Sequence, residues 1–225
     1  MKKNKYKISL VMNILIIIFT IIASIVMFTG FKFMKGAEPV LEMTKLSMFR
    51  FFTVDSNIFM AVIALIFSIE EISLLKNRIK EIPLYIYILK LMATTGVSLT
   101  FFVVFTYLGP FSSGGIPSMV RNSNLFFHLL TPVFSIITFV MFEKTDKIKF
   151  KQAFYGLLPT GLYSIYYTTN VLIHAENGKV SPLYDWYWFM QKGIWTAVIV
   201  IPLFALITFG ISFALWKANK AGIKK

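Results

Sequence analysis

From Ile8 to Phe31 the chain carries no charged side chain. A helix of about 20 apolar residues spans roughly 30 Å of hydrocarbon, so this run alone is long enough to cross a bilayer. Five further runs follow, near Phe52 to Leu75, Pro83 to Tyr107, Asn124 to Phe142, Phe154 to His174 and Trp186 to Trp216. Inside hydrocarbon every backbone N–H and C=O must be satisfied within the protein, and these runs exceed the length of a barrel strand. Isoleucine-rich stretches such as Ile14 to Ile18 therefore read as helix despite their β-branching. Composition agrees: 57% of residues are hydrophobic and only 15% charged. The pattern predicts an all-α polytopic bundle of six transmembrane helices, forming one domain over residues 1–225.

The net charge of +13 would suggest nucleic acid in a soluble protein. Here the lysines and arginines sit at the ends of the apolar runs, so they read as topology signals and no nucleic-acid partner is expected. With the amino terminus inside, 15 basic residues fall on the cytoplasmic side and 7 outside, which predicts that both termini are cytoplasmic. Lys2, Lys3, Lys5 and Lys7 precede an apolar run too long for a secretory h-region, so the first segment reads as an uncleaved signal anchor. The remaining basic residue, Lys90, lies inside the third run, where it either snorkels or meets Glu70 or Glu71. Gly109 to Pro117, with two prolines and three glycines, is the clearest irregular segment and is expected outside.

Topology assigns a depth to the polar residues, and most of them gather at the outer end. Thr53, Asp55, Ser56 and Asn57 open the second run, and Asn124, His128 and Thr131 open the fourth. Tyr166, Tyr167, Thr169, Asn170 and His174 close the fifth, while Asp185 and Gln191 flank the start of the sixth. Asn124, His128, Thr131, Ser135 and Thr138 recur at helical spacing, as do Tyr163, Tyr167, Asn170 and His174, so each set forms one stripe facing protein. An outward-opening polar pocket follows. For Ser135 and Thr138 interhelical hydrogen bonding is the simpler reading. Asp55 and His128 stand open between a functional role and a paired interior, since ionisable groups within spans are costly. His174 is also placed to face interfacial water, and Asp185 precedes the belt-like Trp186, Tyr187 and Trp188.

No cysteine is present, which removes disulfides and thiolate chemistry. There is no G-x-S-x-G, H-E-x-x-H or Walker loop. His128 and His174 lack the further ligands that a haem or metal would need, so neither metal nor cofactor is expected.

Two segments carry a family likeness: Arg50-Phe-Phe-Thr53-Val-Asp55-Ser-Asn57 and Asn124-Leu-Phe-Phe-His128-Leu-Leu-Thr-Pro132, with Tyr184-Asp185-Trp186 as a third. In these the chain resembles the androgen-induced, FAR-17a-like family of membrane proteins, in particular its bacterial branch. The resemblance implies a six-helix threonine hydrolase of fatty acid esters of hydroxy fatty acids in the bacterial cell membrane. Thr53 is then the nucleophile and His128 its base. The residues around both depart from the animal pattern, and a related cysteine-dependent acyl transfer has no counterpart here because the chain has no cysteine.

A threonine hydroxyl becomes nucleophilic when a base within about 2.6 to 3.2 Å takes its proton. Neutral His128 suits that role. Asp55 or Asp185 is a candidate to orient the imidazole, and Asn57, Asn124 or Asn170 to donate to an ester oxyanion, with His174 beside them on the substrate. A membrane lipid or other acyl ester fits such a site, its chain entering between helices. The competing reading is a transporter or a lipid- or small-molecule-binding protein built around the same pocket without catalysis, kept open by Pro132, Pro159 and Pro202 within the runs. A noncatalytic partner subunit is a third.

Overall fold

The computed structural model describes residues 2–36, 43–112, 114–177, 179–190 and 192–223. Six long helical segments follow in order: α1 (Lys2–Thr29), α2 (Phe52–Leu75), α3 (Leu84–Phe111), α4 (Leu125–Phe142), α5 (Leu157–Ile173) and α6 (Ile194–Lys220). No strand is present among the described residues; the β pairing seen there is an isolated bridge between Glu176 and Lys179. Five of the helices, α1, α2, α3, α4 and α6, are long and apolar enough to cross a membrane, as a multi-pass membrane protein requires. The other, α5, has 17 residues and is preceded by a 3₁₀ segment, Phe150–Gly156.

Burial orders the bundle. The apolar stretch of α3 is 61% buried and that of α6 only 17%, so α3 is the central helix and α6 a peripheral one. α3 touches α2, α4, α5 and α6, and α1 packs on α2 and α4. Three apolar clusters stack along the bundle: Phe51, Phe127, Tyr167, Trp186 and Met190 at the Thr53 end; Ile16, Met60, Ile63 and Val97 in the middle; Phe67, Ile82, Tyr87, Phe139 and Leu215 at the other end. Exposed Ile14, Ile18, Ile21 and Ile25 on α1, and Val198, Ile199, Leu203 and Leu206 on α6, leave an apolar outer surface of the kind lipid covers. Where the 3₁₀ segment meets α3 and α6, Gly156 lets backbones approach: a Cβ there would lie 2.2 Å from Ser212 Oγ and 3.0 Å from Thr95 Oγ1.

Two expected boundaries change. α3 does not stop at Tyr107; a π-helical turn over Val104–Leu108 absorbs an extra residue and the helix runs on through Pro110 to Phe111. The segment expected as an open loop folds back on it, with a short helical turn at Gly115–Ser118 and Ile116 Cγ1 only 2.8 Å from where a Gly109 Cβ would be. The last helix does not begin at Trp186. Residues 181–190 instead wind through tight turns, with Trp188 at φ 58° and Gly193 at φ 107°, before α6 starts at Ile194. The cause is Asp185, whose carboxylate accepts the Met190 N–H at 3.0 Å and holds the chain in a closed turn instead of a helix. Gln191 lies outside the described residues.

Lys90 meets neither Glu70 nor lipid. Wholly buried, it pairs with Glu143 at 3.1 Å and donates to Asn13 Oδ1. The Asn13 amide reaches Glu71 Oε2 at 3.3 Å and Glu143 Oε1 at 2.9 Å, joining the two carboxylates in one cluster from α1, α2, α3 and the end of α4. That pairing was invisible in the runs because Glu143 stands one position beyond the fourth.

Candidate functional site

At the opposite end from this cluster, α2 begins where the backbone turns from the extended Phe51 (φ −91°, ψ 127°) into the helix. A helix start leaves N–H groups without partners. The Phe52 N–H finds one in the Tyr187 hydroxyl at 2.9 Å, which ties α2 to the turns before α6. Burial raises the Tyr187 phenol above its ordinary value, so it remains a neutral hydrogen-bonding group. Thr53 follows in the first turn, half-buried, and Asp55 beside it lies where the helix dipole favours a carboxylate.

α4 opens with a π-helical stretch, Leu125–Leu130, and closes with another at Thr138–Phe142. Despite the wider turns its polar stripe points inward: Asn124 and His128 are nearly buried, and Thr131, Ser135 and Thr138 have no exposed surface. Thr138 bonds back to Phe134 O at 2.6 Å instead of across helices. His128 Nδ1 lies 2.6 Å from the Met119 carbonyl oxygen. A carbonyl only accepts, so Nδ1 carries the proton, and the neutral ring presents Nε2 as its acceptor. Nε2 is unpaired among the described residues. Met119 belongs to the folded-back segment, which Asn122 fixes by accepting the Phe33 and Met34 N–H groups at 2.9 and 2.8 Å.

Thr53, Asn124 and His128 line one cavity of about 180 Å³, together with Tyr107, Met119 and Tyr187. A second cavity, of about 80 Å³, shares Thr53, Leu108 and Tyr187 with it. Its wall is mostly apolar, from Leu99, Val103, Val104, Ile201 and Phe204, with Thr100, Thr160 and Ser164 among them. Thr53 stands at the join, with Asn124 and His128 on the α4 side and the more apolar space between α3, α5 and α6.

The other residues singled out in the sequence lie elsewhere. Asn57 is fully buried and its amide donates to Thr53 O at 2.7 Å and Phe127 O at 3.2 Å, binding α2 to α4 behind the cavity. Asp55 faces a separate crevice with Phe59, Met92, Leu162 and Tyr166. Asp185 is consumed by Tyr167, whose hydroxyl donates to Oδ1, and by the Met190 N–H, so the Met119 carbonyl holds the imidazole where a carboxylate was expected. His174 stacks on Tyr184 at 3.6 Å between ring centres, its Nδ1 2.8 Å from the carbonyl of Asn170. Neither His174 nor Asn170 lines the Thr53 cavity. Met119 and Tyr187 gave no signal of a site: the first contributes a backbone atom, which no side-chain pattern encodes, and the second reads as part of an interfacial aromatic belt.

Among the described residues no three metal-ligating side chains converge. Comparison with protein families, with characterised proteins and with solved structures returns no match for this chain.

Proposed function

We propose that this chain is a six-crossing protein of the bacterial cell membrane, with both termini cytoplasmic, that hydrolyses a lipid ester at its outer end. In this reading α5 with its 3₁₀ extension supplies the sixth crossing, and the chain is a relative of the androgen-induced family. Thr53 is the nucleophile and His128 the base. What carries the reading is one observation: Thr53 shares a cavity with an imidazole whose Nδ1 is committed to a carbonyl, leaving Nε2 as acceptor. The Thr53 proton passes to Nε2 as the hydroxyl oxygen attacks the ester carbonyl carbon. The tetrahedral intermediate collapses by expelling the alcohol, which takes that proton, and water then releases the acid from the acyl-threonine by the same route. Asn124, on the same wall, supplies amide donors for the oxyanion. The apolar cavity on the far side of Thr53 has the lining an acyl chain requires.

A serine/threonine-directed ester probe tests this on the purified protein. Labelling of wild type that disappears in Thr53→Ala and falls at least about a hundredfold in His128→Gln supports it. Labelling that persists in Thr53→Ala removes Thr53 as nucleophile.

A second reading, binding or transport without catalysis, draws on the π-helical turns at Val104–Leu108 and Leu125–Leu130, which flank the cavity. Such turns mark ligand sites as readily as catalytic ones. It predicts saturable binding of a lipid that survives Thr53→Ala unchanged.

A further inference from the structure

A cavity of about 840 Å³ lies at the other end, and no step proposed above uses it. Five lysines from three separate parts of the chain line it: Lys3 and Lys5 on α1, Lys80 before α3, and Lys144 and Lys147 after α4. Against these stand two carboxylates among the described residues, Glu81 and Asp146, which leaves an excess of three positive charges among the described lining residues. Glu81 is already committed to Lys147 at 2.7 Å. Lys144 donates to Ala221 O at 2.5 Å, and Lys3, Lys5 and Lys80 pair with no described acid. Half-buried Lys5 is repelled by the Lys144 ammonium, and Glu143, the carboxylate that acts on it, is itself engaged by Lys90.

Like charges held together at partial burial are costly unless an anion lies between them. Topology alone asks only for basic residues somewhere on this side, and exposed Lys76, Lys151 and Lys217 satisfy that without lining this cavity. Leu74, Leu75, Ile79 and Ile82 add apolar surface to the lining, with the rings of Tyr6 and Tyr87. All five lysines stand within a few residues of an apolar run's end, at the level of a lipid headgroup.

We infer that this cavity binds the phosphate headgroup of an anionic membrane phospholipid, with the lysines around the phosphate and the apolar wall against the lipid's glycerol and first methylenes. A soluble phosphate would gain the charges but not the wall.

The test is thermal unfolding of delipidated protein in neutral detergent, titrated with phosphatidylglycerol, with phosphatidylcholine, or with inorganic phosphate at equal ionic strength. Phosphatidylglycerol is expected to raise Tm saturably while the other two do not. In Lys5→Gln/Lys80→Gln/Lys144→Gln the half-saturating phosphatidylglycerol concentration rises about a hundredfold, from roughly a fivefold share per lysine. In Lys76→Gln/Lys151→Gln/Lys217→Gln, which removes equal charge outside the cavity, it changes less than about threefold. Equal weakening in both triples reduces the effect to surface potential and overturns the site. So does stabilisation by inorganic phosphate matching that of the lipid, or no response to phosphatidylglycerol. Lys80 is exposed, so Lys80→Gln alone, with about a fivefold rise expected, carries the test should the pocket triple not fold.

Discussion

Replacing Lys90 by methionine keeps the apolar stem and deletes the ammonium. In the protein that ammonium is wholly buried, 3.1 Å from Glu143 and bonded to Asn13. Its loss leaves Glu143 and Glu71 facing each other through one amide. Asn13 cannot compensate: its two amide hydrogens already serve three acceptors, Ser9 Oγ, Glu71 Oε2 and Glu143 Oε1. One oxygen on each carboxylate is without a partner even with the lysine present. Stranding one member of a buried ion pair costs about 3 to 5 kcal/mol, so Lys90→Met should lose that much stability. Lys90→Met/Glu143→Met removes both members and should regain more than half, because an apolar pair of similar volume is nearly neutral. Reversible unfolding in mixed micelles of neutral detergent and dodecyl sulfate measures these differences. A loss below about 1 kcal/mol for Lys90→Met, equal to that of the exposed Lys76→Met, would mean that water reaches the cluster and that the burial argument fails.

Further outcomes are expected elsewhere. A reporter at the carboxyl terminus should register as cytoplasmic and one inserted at Gly114 as external, from the basic residues counted at 15 against 7; an external carboxyl terminus removes one crossing from the proposed set. Gly156→Ala should cost about 1 to 3 kcal/mol, since Ser212 Oγ, only 2.2 Å from the new Cβ, is held by its bond to Ala153 O; Ser212→Gly in the same chain should restore most of it, as unfolding midpoints would reveal. Asp185→Asn should cost about 1.5 to 3 kcal/mol and alter Trp186 fluorescence, because Tyr167 and Met190 lose a charged acceptor; an unchanged spectrum and midpoint would show that the turn holds without it.

How far the sequence spoke depended on whether a residue's partner lay within helical reach. The inward stripe of α4 was legible because Asn124, His128, Thr131 and Ser135 recur on one face, and turning that face to lipid would expose hydroxyls and an imidazole to hydrocarbon. The helical start at Phe52 was legible from the break in apolar character at Arg50. The start of α6 was not: Trp186 to Met190 is apolar enough for a span, and the Asp185 carboxylate, bonded to the Met190 N–H and to the Tyr167 hydroxyl, keeps it out of one. Lys90 illustrates the same limit. Its partner is 53 positions away, while the acids nearer in sequence, Glu70 and Glu71, are not its ion-pair partners. The Met119 carbonyl lies beyond any reading of side chains, yet it decides which imidazole nitrogen is free.

The Thr53 cavity and the Lys90 cluster sit at opposite ends of the same helices. Around the Thr53 cavity the helices depart from α geometry at Val104–Leu108 and Leu125–Leu130, and the turns over residues 181–190 carry Trp188 at φ 58°. Each departure forgoes regular backbone bonding and leaves room that close-packed helices would fill. At the far end α1, α2, α3 and the end of α4 converge on Lys90, Asn13, Glu71 and Glu143 without exposed surface. The helices that carry the cavity, α2, α3 and α4, are the ones this charged cluster ties together, and it fixes their register because any slip strands a charge. Loosening the cluster should therefore be felt at the cavity. Lys90→Met, assayed below its unfolding midpoint, is expected to broaden the response of Trp186 and to weaken whatever binds beside Thr53, although Lys90 lines neither cavity there. Unchanged ligand affinity in a Lys90→Met protein that has lost stability would show the two ends to be independent.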